Sequence, residues 1–171
     1  PEFTMLEFYQ AYTDYRGMMA LTEELVLAAA AAADCGETVT FRGDDYSLSA
    51  PFARIRYADA FKEHLGFDAT DRDAVTAKLL EIKHDVPEGD GYAWWKAVND
   101  LFEECVEHKL TGPVFVYDYP SAICPLAKPL AEDPIWAGRF EFFLGGMELA
   151  NAFSELNDPQ LQLQKFEEQV A

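Results

Sequence analysis

Gly145-Gly146 divides an apolar, aromatic stretch, Arg139 to Asp158 (RFEFFLGGMELANAFSELND), and this pair restricts the possible folds more than any other feature of the sequence. A two-residue loop is the tightest link between antiparallel strands, and glycine supplies the positive φ angles it needs. With the loop placed there, Leu144 falls opposite Met147 and Phe143 opposite Glu148. Alternation then sets Glu141 diagonally across from Glu148 on one face. Diagonal neighbours have side-chain roots ~7 to 8 Å apart, a span across which two carboxylates can hold a hard cation.

Such a hairpin needs a core to cover it, and the chain has the means. Its 171 residues are 50% hydrophobic and 14% aromatic, which suits one globular domain. Thirteen Lys+Arg against 31 Asp+Glu leave a formal net charge of −18. A surface that acidic repels a nucleic-acid backbone, so the chain alone is expected to bind polynucleotides poorly. Cys35, Cys105 and Cys124 are widely spaced, lack a CxxC and are odd in number. They point to a reducing, cytoplasmic compartment and not to a disulfide framework. His64, His84 and His108 show neither HxH nor HExxH spacing and read as solvent-facing or locally bonded histidines, not as zinc ligands. The longest apolar tract, Leu25 to Ala33, covers about half a bilayer, so no membrane partner is expected. The chain opens at Pro1 without an initiator methionine and alternates like a strand by Phe3. This predicts a fragment of something longer, with no signal peptide.

Along the chain, Phe3 to Tyr12 alternates with Phe3, Met5, Glu7 and Tyr9 on one side of a predicted strand. Glu7 by charge and Tyr9 by hydrogen bond suit an ammonium ligand, although the same pattern also describes a plain surface strand. Leu21, Leu25, Ala28 and Ala32 recur at helical spacing up to Cys35-Gly36. A hairpin is expected at 38–41 and 46–48. Helices follow around Ala58 to Leu65, closed by Gly66, from Thr70-Asp71 through Ile82, and from about Tyr92 to Leu110. Trp94-Trp95 lies on the last of these and reads as core, its acids as a solvated face. Val114 to Tyr117 fits a strand buried on both faces. Asp158-Pro159 starts a final amphipathic helix.

Three segments together resemble one family. PEFTMLEFYQAYTDY at 1–15 resembles the second half of motif 2 of class II aminoacyl-tRNA synthetases in the lysyl-specific form. RFEFFLGGMELANAFSELND resembles the hairpin that precedes motif 3, and DYPSAICPLAK at 118–128 resembles the strand and loop between them. Residues 16–112 match by the order of elements. The resemblance implies that lysine and ATP form lysyl-adenylate, from which lysine passes to the 3′ end of tRNA. It places Phe3 against adenine, Glu7, Tyr9, Asn151, Phe153 and Glu155 around lysine, and Glu141 and Glu148 on Mg2+ bridging the ATP phosphates. It also implies a homodimeric parent. Under strict alternation Glu148 faces away from Asn151 and Glu155, so a bulge near Ala150 to Ala152 is predicted.

Two positions depart from the family's usual spelling. Met147 stands where a basic residue is common, with no effect expected beside the turn. Ala152 stands where glycine is usual, and its methyl is expected to narrow the lysine pocket or to restrict a backbone conformation that glycine would allow. The motif 2 and motif 3 arginines, motif 1 and the anticodon-binding domain are not among these residues, so the chain alone is expected to be inactive. A paralogous reading, lysyl transfer to elongation factor P, shares the site and changes the acceptor. A non-catalytic synthetase-like module is the other alternative, and a glycosidase using Glu141 and Glu148 leaves the remaining matches unexplained. The expected fold is α+β: residues 1–171 form one piece of a catalytic domain, with a hairpin and helical insertion at 37–112. Its antiparallel sheet is expected from residues 3–12, 113–118 and 139–156, with helices around it.

Overall fold

The computed structural model describes residues 2–170. Helix α1 (Tyr15–Ala32) comes first, followed by a separate hairpin of β1 (Thr38–Phe41) and β2 (Asp44–Ser47). Then come β3 (Ala53–Arg56), α2 (Tyr57–Leu65), α3 (Arg72–Glu81), α4 (Tyr92–Cys105), β4 (Val114–Pro120), β5 (Trp136–Leu144), β6 (Met147–Phe153) and α5 (Pro159–Val170). Strands β3-β4-β5-β6 form the main sheet in that order. Its β4/β5 and β5/β6 pairs are antiparallel, and β3 joins β4 in parallel.

Local chemistry explains most boundaries. Asp14 accepts from the amides of Arg16 and Gly17 at the start of α1, and Asp71 accepts from Ala74 at the start of α3. Gly66 closes α2 at φ 86°, a conformation in which a side chain would be strained. Asp158 caps α5 through the amides of Gln160 and Leu161, with Pro159 in the first helical position. The helix predicted to reach Leu110 ends at Cys105, and its last turn tightens into a 3₁₀ turn at Glu107–Lys109.

The sheet separates two apolar layers. On one face Phe115, Phe140 and Phe142 pack with Phe52 and with Tyr15, Met18 and Met19 of α1. On the other, Val114, Val116, Ala137 and Phe143 meet Tyr57 and Phe61 of α2 and Trp94, Val98, Leu101 and Phe102 of α4. Trp94 is 4% exposed, a core residue as its spacing predicted. Arg72 lies 4.0 Å from its ring centroid.

The α+β class holds, but two expectations about the sheet do not. Residues 3–12 form no ladder among the described residues, and Phe3, Leu6 and Tyr9 are exposed. Alternation encodes two faces, while a strand also needs a partner backbone. The edge beside β4 is instead β3, a four-residue parallel strand within a region read as turn and helix. Parallel pairing through a long helical crossover left no short-range signal there.

Gly138 is a point of close approach between α1 and the sheet. A Cβ at this position meets Tyr15 Cδ1 at 2.9 Å and Cε1 at 3.1 Å, and Tyr15 is itself buried with its hydroxyl donating to Asp118. Gly138→Ala therefore lowers stability by about 1–3 kcal/mol through overpacking, read as a reduced urea midpoint at unchanged slope.

Candidate functional site

The Gly145-Gly146 turn has φ angles of 64° and 70°, and it pairs Leu144 with Met147 and Phe143 with Glu148, as predicted. Beyond that the register changes. Phe142 pairs with Ala150 and Glu141 with Asn151, leaving Leu149 as an extra residue that is 50% exposed. One inserted residue reverses the alternation of every position after it. Asn151 and Phe153 consequently join Glu148 on the sheet face of Glu141, and Asn151 Nδ2 donates to Glu148 Oε1 at 2.9 Å. The predicted break lies at Leu149, one residue nearer the turn than the 150–152 span.

The same register corrects the expectation for Ala152. Ala152 pairs with Phe140 and packs with Ala150 on the α1 face. Its methyl points away from the Asn151 face and cannot narrow a pocket there.

Glu141 is buried, and both of its oxygens are engaged. Arg139 donates to Oε1 and the Tyr119 hydroxyl donates to Oε2 at 2.6 Å. The Arg139 guanidinium also lies 5.0 Å from the Tyr119 ring centroid and donates to Cys124 Sγ at 3.5 Å. Tyr119 reaches this face because Asp118 sits at φ 61°. Tyr117 packs on the α1 side and Tyr119 on the α4 side, although strict alternation would put both on one face. Asp118 itself is buried and accepts from Tyr15 Oη and from Arg56 Nε at 3.0 Å.

Burial raises the Glu141 pKa, opposed by Arg139 and the Tyr119 hydrogen bond and reinforced by Glu148 and Glu103. Burial works against the Arg139 charge, but Cys124 and Glu141 outweigh it and its pKa rises. Glu107, in the turn after α4, is pushed up to about 7 by burial and by the charges of Glu141, Glu103 and Glu148. Acidic side chains thus converge on the end of the sheet nearest the β5–β6 turn.

The other predicted site residues stand differently. The Tyr9 hydroxyl donates to Glu7 Oε1 at 3.0 Å, which raises the Tyr9 pKa, and the Glu155 charge adds to the effect. Glu155 is exposed and bridges to Ala127 in antiparallel fashion. Tyr15 N donates to Ser154 Oγ at 3.1 Å, so the chain carrying Glu7 and Tyr9 departs from beside the end of β6. Phe3 is 77% exposed and is not brought to the Glu141 face. Among the described residues no group of three or more His, Cys, Asp or Glu is placed to hold a metal ion, and no helix is long and apolar enough to cross a membrane. A cavity of about 420 Å³ lined by Arg16, Arg54, Arg56 and Asp118 lies on the α1 side, not beside Glu141.

Sequence reading missed Arg139, Tyr119 and Glu107. Arg139 was within reach, because residues two apart on a strand share a face and Arg-x-Glu is a side-chain pair. Tyr119 was not, since its facing depends on the left-handed Asp118.

The family model for tRNA synthetases class II (D, K and N) matches residues 1–171. The lysine–tRNA ligase of Moorella thermoacetica is 46% identical over 178 residues, covering 100% of this chain and 35% of that protein. That of Pelotomaculum thermopropionicum is 47% identical over 175 residues, covering 99% and 34%. That of a Psychrobacter species is 44% identical over 176 residues, covering 100% and 34%. The chain spans about a third of the length of these curated relatives.

Two outcomes follow from the site's packing and charge. Ala152→Gly costs about 0.5–1 kcal/mol of stability, read as a lower urea midpoint. Glu107 binds its proton more tightly folded than unfolded, so stability falls as pH rises from about 4.5 to about 7. Glu107→Gln flattens that window. It raises stability at pH 8 by on the order of 1 kcal/mol after solvent screening and leaves it unchanged near pH 4, measured by urea unfolding.

Proposed function

The chain belongs to the class II tRNA synthetases (D, K and N), and on that premise we propose that it forms part of the catalytic domain of a lysine–tRNA ligase. In the reaction a lysine carboxylate oxygen attacks the α-phosphorus of ATP and pyrophosphate leaves. A ribose hydroxyl at the 3′ end of tRNA then attacks the lysyl carbonyl carbon and AMP leaves. The observation that carries this reading is the bulge at Leu149, which joins the Glu141–Glu148 carboxylates and Asn151 on one face. Without it, the residues assigned to ATP and to lysine would lie on opposite sides of the sheet.

The donor set fits Mg2+. Carboxylate oxygens are hard ligands, and Mg2+ takes one or two of them while phosphates and water complete its shell. Glu141 and Glu148 would hold it, and when bound it neutralises charge on the phosphates during displacement. Glu7, Tyr9, Asn151, Phe153 and Glu155 bind lysine, the acids answering its ammonium group and Phe153 walling the aliphatic stem. Phe3 stacks on adenine. Residues 3–12 must approach β6 for these roles, and the Tyr15–Ser154 hydrogen bond already holds the two segments together at one end.

The parent protein is a cytoplasmic homodimer in this reading, and its tRNA contacts come from outside this acidic segment. The relatives' names favour tRNA over elongation factor P as acceptor. Incubating the full-length enzyme with lysine, ATP and each acceptor decides between them by which becomes lysylated. In that enzyme Glu148→Gln lowers ATP–pyrophosphate exchange by about 100-fold with lysine binding retained. Asn151→Ala raises the lysine KM by about 10-fold, the value of one lost hydrogen bond. Ordinary exchange kinetics in both variants would remove the reading.

A further inference from the structure

We propose that Arg139 and Tyr119 are positioning residues that fix the Glu141 carboxylate in one orientation for the metal–nucleotide complex. The inference rests on the reading of Glu141 and Glu148 as the carboxylates that receive Mg·ATP. Its basis is an asymmetry between the two acids. Glu148 is exposed, and among the described residues its side-chain partner is Asn151. Glu141 is buried and held at both oxygens, by Arg139 at Oε1 and by Tyr119 at Oε2.

The two donors are themselves held. Arg139 spends one amino group on Glu141 and another on Cys124 Sγ at 3.5 Å, and its plane lies against the Tyr119 ring. Tyr119 is 2% exposed and packed by Tyr57 at 5.1 Å and Phe102 at 6.4 Å between ring centroids. Tyr119 cannot turn without disturbing the core between the sheet and α4, and Arg139 cannot turn without giving up Cys124 and the Tyr119 ring.

An ionised carboxylate offers about four lone-pair directions. The two hydrogen bonds occupy one on each oxygen and leave the others on a side chain that cannot rotate. A ligand fixed in advance binds a metal without losing rotamer entropy at that moment. Partners behind metal ligands are typically worth about 10- to 100-fold in metal affinity. A buried ion pair kept only for folding would show no such link to the nucleotide's metal.

The test uses the full-length enzyme with Arg139→Gln, Arg139→Lys, Tyr119→Phe and Glu141→Gln. Calorimetry follows binding of Mn2+ with α,β-methylene-ATP and, separately, of lysine alone, while thermal unfolding monitors the fold. Arg139→Gln and Tyr119→Phe are expected to weaken Mn2+·analogue binding by about 10-fold or more, with lysine affinity within about 2-fold. Arg139→Lys recovers part of the loss, and Tyr119→Phe adds little on top of Glu141→Gln because the two act through one group. Tyr119→Phe keeps the ring and its packing, so it reports even if Arg139→Gln fails to fold. If Glu141→Gln weakens analogue binding while Tyr119→Phe and Arg139→Lys bind as the parent does, the positioning role is overturned and the metal reading stands. If Glu141→Gln itself leaves analogue binding unchanged, the metal reading falls and the proposal with it. Equal losses for lysine and for the analogue overturn the proposal in favour of a purely structural ion pair.

Discussion

A β-strand presents successive side chains to opposite faces, and almost everything about this site depends on where that rule is broken. Phe115, Phe140 and Phe142 obey it, and they form the apolar layer beneath α1. Glu141 obeys it too and arrives on the other face. Glu148 and Asn151 could not both join Glu141 under strict alternation, and Tyr119 could not be there with Tyr117 packed against α1. Two local irregularities solve this: an extra residue at Leu149 and a left-handed backbone at Asp118. Each turns a run of regular strand into a convergent group of polar side chains.

The electrostatics follow from that convergence. The chain carries 31 acidic residues against 13 basic ones, yet the buried Glu141 sits within a local balance of opposing terms. Burial and the nearby acids favour its neutral form, while Arg139 and the Tyr119 hydroxyl favour its charged form. Glu107 has no comparable partner and moves to about 7.

Much of this was legible from residue order, and the boundary of legibility has physical causes. The Gly145-Gly146 turn, the caps at Asp71 and Asp158, the Gly66 terminus and the burial of Trp94 all come from interactions between residues close in sequence. The β6 bulge was legible only through a contradiction, since three matched residues could not face one way without it. β3 escaped notice because a four-residue parallel strand takes its stability from a partner strand more than sixty residues along the chain. Residues 3–12 failed in the opposite sense, having the pattern of a strand and no ladder among the described residues. Tyr119 shows the same limit at the site, where its facing hangs on the backbone angle of Asp118.

The hydrogen bond from Tyr15 N to Ser154 Oγ has a mechanical meaning. It fastens the start of α1 to the end of β6, so the segment before it leaves the domain from a fixed point. Any rotation about that pivot displaces residues in proportion to their distance from it. Tyr9 and Glu7 lie nearer the pivot along the chain than Phe3 does, so their sweep is shorter.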